Sequence, residues 1–211
     1  MTQMSTETMN HSQSIPSKYN HGGHELFDVH ELLSCTINLL DQYMMLRQNV
    51  SCQELKGMID RHYRFVSDCY NITVEALSTG QKPSHPTQTY MMQQENEVVF
   101  GMQSSQPKKP CQSISEINSE KISSQMLGLM KSAATTYAKV ATEVTNPILR
   151  RMIADSVPNY IEMAYEIFLY QNKNQYYQVP QFDQQTTQQM VSGFAPSQGQ
   201  VKFSTNPSGT H

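Results

Sequence analysis

NPILRRMIADSVPNYIEMAYEIFLYQNK, residues 146–173, decides how the chain folds. Proline at a first helical position gives up no hydrogen bond, so Asn146-Pro147 marks the start of a helix. Leu149, Ile153, Val157, Tyr160, Ala164, Ile167 and Phe168 then recur at three- and four-residue steps, one apolar face of a long helix. Pro158 lies inside it and predicts a kink or broken turn near Ser156. Tyr176 and Tyr177 close the helix before Pro180. Upstream, Met126, Met130, Ala133, Tyr137, Ala141 and Val144 keep the same period, and Ser113 with Glu116 has capping-box spacing. The pair reads as an antiparallel hairpin, 115–145 with 147–178, because the link between them is short.

The same reading holds toward the N-terminus. Leu26, Val29, Leu33, Ile37, Leu40 and Met44, widened by Leu32, Leu39 and Leu46, form a helix face over 24–49. Ser51 and Glu54 repeat the capping-box spacing and open a helix over 51–79. Its face is Leu55, Ile59, His62, Val66, Cys69, Thr73 and Ala76, and Gly80 stands where a left-handed C-terminal cap is expected. Between the two hairpins, residues 80–114 contain Pro83, Pro86, Pro107 and Pro110. A connection of that length is uncommon inside a compact domain and can travel the whole length of a bundle. Four helices with one long crossover have the connectivity of a ferritin-like bundle, so the expected class is all-α, with the bundle over 21–180.

Composition bounds what such a bundle can do. Hydrophobic residues make up 37% of the chain, low for a sequence folded over its whole length. The deficit sits at the ends. Residues 1–20 carry one acid, Glu7, and one base, Lys18, and read as a disordered arm. Residues 181–211 carry Asp183 and Lys202 alone and are rich in glutamine, a disordered polar tail. A net charge of −3 with charged residues at only 16% argues against general nucleic-acid binding, which needs clustered bases. No 18-residue apolar window predicts a membrane span, and no basic-then-apolar N-terminus predicts a secretion signal. Cys35, Cys52, Cys69 and Cys111 form no CxxC pair and read as buried reduced thiols.

A ferritin-like bundle raises the possibility of a di-metal carboxylate site, which needs inward Glu residues and two Glu-x-x-His motifs. At 100° per residue, Asp28, Glu31, Asp60, Glu75, Asp155, Glu162 and Glu166 all fall about 160–240° from the apolar direction of their helices. No Glu-x-x-His occurs. No catalytic residue and no cofactor is therefore expected. His62 is on an apolar face and reads as a hydrogen-bonded core residue with no inward acid beside it. His24 and His30 are weak metal candidates that do not share a face. A nucleophile elbow, a phosphate loop and a dinucleotide fingerprint are absent, so no small-molecule substrate is indicated. Fourteen Met and eleven Tyr, in runs such as Tyr43-Met44-Met45 and Tyr90-Met91-Met92, suit adaptable packing surfaces.

Several separated strings resemble the coat F domain of bacterial endospore coat proteins. They are His21-Gly22-Gly23-His24-Glu25-Leu26-Phe27-Asp28, Asn71-Ile72-Thr73-Val74-Glu75 with Ser78-Thr79-Gly80-Gln81, and Ser105-Gln106-Pro107-Lys108-Lys109-Pro110. Ala154-Asp155-Ser156-Val157-Pro158-Asn159 and Tyr170-Gln171-Asn172-Lys173 complete the set, and the resemblance spans about residues 21–182. It implies a ferritin-like bundle made during sporulation, placed in the spore coat, with other coat proteins or a second copy of itself as partners. It carries no catalytic residues onto this chain, and it implies a crossover ordered against the bundle. Gln184, Gln185, Gln188 and Gln189 in the tail are the expected acceptors if the coat is matured by isopeptide cross-links. The rival reading is a ferritin-like metal-binding protein or oxidase with a degenerate site.

Overall fold

The computed structural model describes residues 21–199. The expected arm over 1–20 and the end of the tail from residue 200 lie outside the described residues. Among the described residues there are five α-helices: α1 Gly23–Arg47, α2 Gln53–Thr79, α3 Ser119–Glu143, α4 Pro147–Lys173 and α5 Gln184–Val191. The first four form the expected bundle of two antiparallel hairpins. α3 packs most extensively on α4, α1 on α3 and α2, and α2 on α4.

Local chemistry sets the helix ends. Gly80 closes α2 at φ 65°, in the left-handed region that glycine adopts without strain. Asn146 caps α4, its side chain accepting from the N–H groups of Ile148 and Leu149, with Pro147 behind it. Both expected capping boxes fail. Cys52, not Ser51, takes the N-cap position of α2, and no side chain caps it. Instead of turning back, the Glu54 carboxylate accepts from Gln94 (3.0 Å) and Lys173 (3.3 Å). Ser113 and Glu116 do meet, at 3.4 Å, but they open a single 3₁₀ turn, Ile114–Glu116. α3 starts later, capped by Asn118. α4 runs unbroken through Pro158, without the broken turn expected near Ser156, and it ends at Lys173. There the chain reverses through Gln175 at φ 63°.

The core is one cluster in which Leu32, Met58, Met126, Met130, Leu149 and Ile167 meet the buried rings of Tyr43, Tyr137, Tyr160 and Tyr170. The apolar faces expected for α2, α3 and α4 point into it. That of α1 is rotated: Val29, Leu32, Thr36, Leu39 and Tyr43 are buried, whereas Leu26, Ile37 and Met44 are exposed. Only Cys69 of the four thiols is buried. Cys35 and Cys111 are exposed and Cys52 is half-buried, so the uniform burial expected from sequence does not hold.

The crossover is an ordered strap running down α4 in the same direction. Thr87 donates to the carbonyl of Met152 (3.4 Å), and Asn159 binds both the N–H of Tyr90 (2.8 Å) and the carbonyl of Gln88 (2.9 Å). The N–H of Gln93 donates to Glu166 (2.8 Å). Asn172 grips Val99 by its N–H (2.6 Å) and its carbonyl (2.9 Å). An irregular strap cannot satisfy its own backbone, and buried N–H groups must find acceptors. α4 supplies them from residues two turns apart, Asn159 and Glu166, and from Asn172 almost two turns further.

The first third of the tail departs from expectation. Residues 184–191 are helical, opened by Asp183, whose carboxylate accepts from the N–H and hydroxyl of Thr186 at 2.8 and 2.7 Å.

Candidate functional site

Two buried carboxylates, neither expected from the sequence, organise the polar interior. Glu166 sits on α4, on the side away from the Ala164–Ile167 face, and a helix in one core would expose it there. The strap covers that side, and the Glu166 side chain is fully buried. Its oxygens accept from Arg61 Nη2 (2.6 Å), His62 Nε2 (2.9 Å), the Tyr90 hydroxyl (2.5 Å) and the Gln93 N–H (2.8 Å). An ionised carboxylate only accepts, so His62 carries its proton on Nε2. Its Nδ1 is then free to accept from the Tyr43 hydroxyl at 3.2 Å.

The charges follow from this geometry. Burial favours the neutral imidazole, and although Glu166 pulls the other way, the pKa of His62 is lowered. Burial alone would raise Glu166, but hydrogen bonds from His62, Tyr90 and the Gln93 N–H outweigh it and hold the carboxyl at about 2. The network is therefore one ion pair, Arg61⁺ with Glu166⁻, to which Tyr90 donates directly and which a neutral histidine relays to Tyr43. Burial and the facing carboxylate push the Tyr90 hydroxyl above its ordinary range, so it stays a donor. Sequence reasoning placed Glu166 outside and gave His62 no acid; both readings are corrected here.

Glu25 forms the second centre, at the end of the bundle where α1 begins. It accepts from His21 Nδ1 (2.5 Å), the Thr145 N–H (2.8 Å), the Asn146 N–H (2.9 Å) and the Thr145 hydroxyl. His21 Nε2 reaches the carbonyl of Leu77 at 3.0 Å. One carboxylate thus ties α1 to the α3–α4 turn and, through His21, to the end of α2. Burial raises its pKa, but the bonds from Thr145, His21 and Asn146 prevail and lower it. Glu25→Ala is expected to cost about 2 kcal/mol, because two part-buried N–H groups, the Thr145 hydroxyl and His21 lose their acceptor. A urea titration followed by circular dichroism measures the loss, and an unchanged midpoint would contradict this role.

The residues singled out from sequence divide clearly. His62 is buried in the first network. His24 and His30 are exposed. His24 approaches Asp28 and, from α3, Glu143, with potential ligand atoms within 4.8 Å of one another. That group is on the surface and holds a single imidazole, unlike the inward, Glu-rich set of a di-metal bundle. Burial pushes the Cys69 thiol up to about 12, leaving it an inert packing group. Gln184, Gln185, Gln188 and Gln189 lie exposed on α5.

Both centres therefore spend every carboxylate oxygen on the protein's own donors. They hold segments together and present no open acid to a substrate. The spore coat protein F-like protein YhcQ of Bacillus subtilis (strain 168) is 52% identical over 180 residues, covering 85% of this chain and 83% of that protein. The chain belongs to the coat F family of spore coat proteins. The profile of the Coat F domain matches residues 118–180, which hold α3, α4 and the Glu166, Asn159 and Asn172 side chains that grip the strap. The fold has a counterpart in the crystal structure of a provisionally assigned spore coat protein from Bacillus halodurans C-125. The two share 15% identity with a TM-score of 0.56, covering 82% of this chain and 98% of that one. The coat F fold is thus shared where little sequence is.

Proposed function

We propose that this coat F-family chain is a structural component of the bacterial endospore coat that acts by packing against other proteins and carries out no catalysis. The similarity to a curated spore coat relative over most of both chains carries the reading. The interior supports it, since the two buried carboxylates, Glu166 and Glu25, are consumed in fixing the strap and the helix ends.

The bundle also exposes large apolar side chains. Leu26, Phe27, Met44 and Met45 are exposed on α1, and Met91, Phe100 and Met102 on the strap. Methionine side chains adapt to irregular partners, and exposed apolar groups in this number suit an insoluble layer. Exposure of the four α5 glutamines supports covalent maturation as a further step. A transglutaminase would join a Gln carboxamide carbon to a lysine Nζ, forming an amide and releasing ammonia.

Fractionation of purified spores tests the role. The protein is expected in the coat extract, and its confinement to decoated cores would contradict the proposal. Peptide mass spectrometry of the same spores is expected to find Gln184, Gln185, Gln188 or Gln189 in isopeptide links. Recovery of all four unmodified would remove the cross-linking step.

A further inference from the structure

His24, Asp28 and Glu143 meet at one end of the bundle, outside both buried networks. His24 and Asp28 are four residues apart on α1 and so share a face, while Glu143 is the last residue of α3. Their potential ligand atoms lie within 4.8 Å of one another. Among the described residues, none of the three forms an ion pair.

The backbone beneath them is fixed in advance. Glu25, next to His24, accepts from the N–H groups of Thr145 (2.8 Å) and Asn146 (2.9 Å), two and three residues beyond Glu143. That knot sets the start of α1 against the end of α3 before any ion arrives, which lowers the cost of binding one.

The local charge calls for a cation. Two carboxylates approach each other there, and α1 holds no Lys or Arg before Arg47. The positive end of α1 is answered by Glu25 in its first turn. The negative end of α3 has no basic residue in its last turn and carries Glu143 instead. Lys139, one turn earlier, does not pair with it.

Donor chemistry selects the ion. One imidazole nitrogen with two carboxylate oxygens suits zinc and neighbouring first-row divalent ions, whereas calcium and magnesium favour all-oxygen sets. A tetrahedral ion about 2.1 Å from each ligand needs them about 3.4 Å apart. Surface side chains reach that spacing by rotating. We propose that His24, Asp28 and Glu143 bind one zinc-class divalent ion, with water completing its coordination. α1 belongs to one hairpin and α3 to the other, so the ion staples the two hairpins where the Glu25 knot already joins them. The site goes beyond the coat reading and does not depend on it.

Equilibrium dialysis of the chelator-treated full chain against micromolar zinc chloride tests the site. One zinc per chain is expected, with a thermal midpoint about 5 °C higher at a hundredfold excess over Kd. H24A, D28N and E143Q are each expected to weaken zinc binding by about tenfold or more and to lose the thermal shift. Their circular dichroism spectra should match that of the wild type, and H30A should bind zinc as the wild type does. A wild-type chain that binds no zinc would overturn the proposal. So would an E143Q chain that binds like wild type, because the ion would then sit on the thiols or on α1 alone.

Discussion

Glu166→Ala lowers the stability of this protein by about 3 kcal/mol, the cost of leaving the part-buried Arg61 cation and three further donors without their acceptor. The side chain is fully buried and accepts four hydrogen bonds from four different groups. Removing it strands the Arg61 guanidinium, the His62 Nε2–H, the Tyr90 hydroxyl and the Gln93 N–H at once. For a chain of this size the loss corresponds to roughly 10 °C in Tm. It is also expected to act locally, because Gln93 and Tyr90 belong to the strap. Limited proteolysis should cut the variant first within residues 80–113, before the helices open. Tyr90→Phe removes one bond and should cost about 1 kcal/mol. A Glu166→Ala protein with wild-type Tm and an uncut strap would show that the network holds nothing in place.

The second large effect is acid sensitivity, and its sign follows from the same centre. Glu166 titrates at about 2 in the folded chain against 4.5 for an ordinary glutamate. Between those values the unfolded state binds the proton and the folded state does not, so stability falls as pH falls. The contribution is complete above pH 4.5 and is lost on the way down to about 2. Two and a half units correspond to at most about 3 kcal/mol. His62 acts in the same direction at higher pH. Its lowered pKa means that the unfolded chain gains a proton first as pH drops below 6.5. Glu25, also lowered, adds to the acid limb. Urea midpoints measured from pH 7.5 to 3 should therefore decline gently below 6.5 and steeply below 4.5. In Glu166→Gln the steep limb should be shallower, and curves that run parallel would contradict the assignment.

Four helices in two hairpins were readable because their punctuation is local. Gly80 and Asn146-Pro147 act on neighbouring backbone, and the α2, α3 and α4 stripes each carry one dominant face. α1 was misread because it is apolar on two sides. Leu26, Ile37 and Met44 compete with Val29, Leu32, Leu39 and Tyr43, and only packing chooses between them. Glu54 matched a capping box, yet Gln94 and Lys173, distant in sequence, claim its carboxylate.

Glu166 was lost for a related reason. A helical wheel assumes one buried direction, and α4 has two, the bundle core and the strap. The signal was present in the sequence: Asn159 and Glu166 are seven residues apart, a polar row facing a Pro-bounded connection. Long enough to travel the bundle, that connection needed acceptors along its path. Glu25 carried no comparable signal, since its partners at residues 145 and 146 meet it only after α3 and α4 have turned.

A fluorescent fusion of the chain followed through sporulation tests the central claim most directly. A coat component is expected to collect as a shell around the developing spore and to stay with the purified spore. A signal that remains diffuse in the mother cell, or that fills the spore interior, would contradict the account.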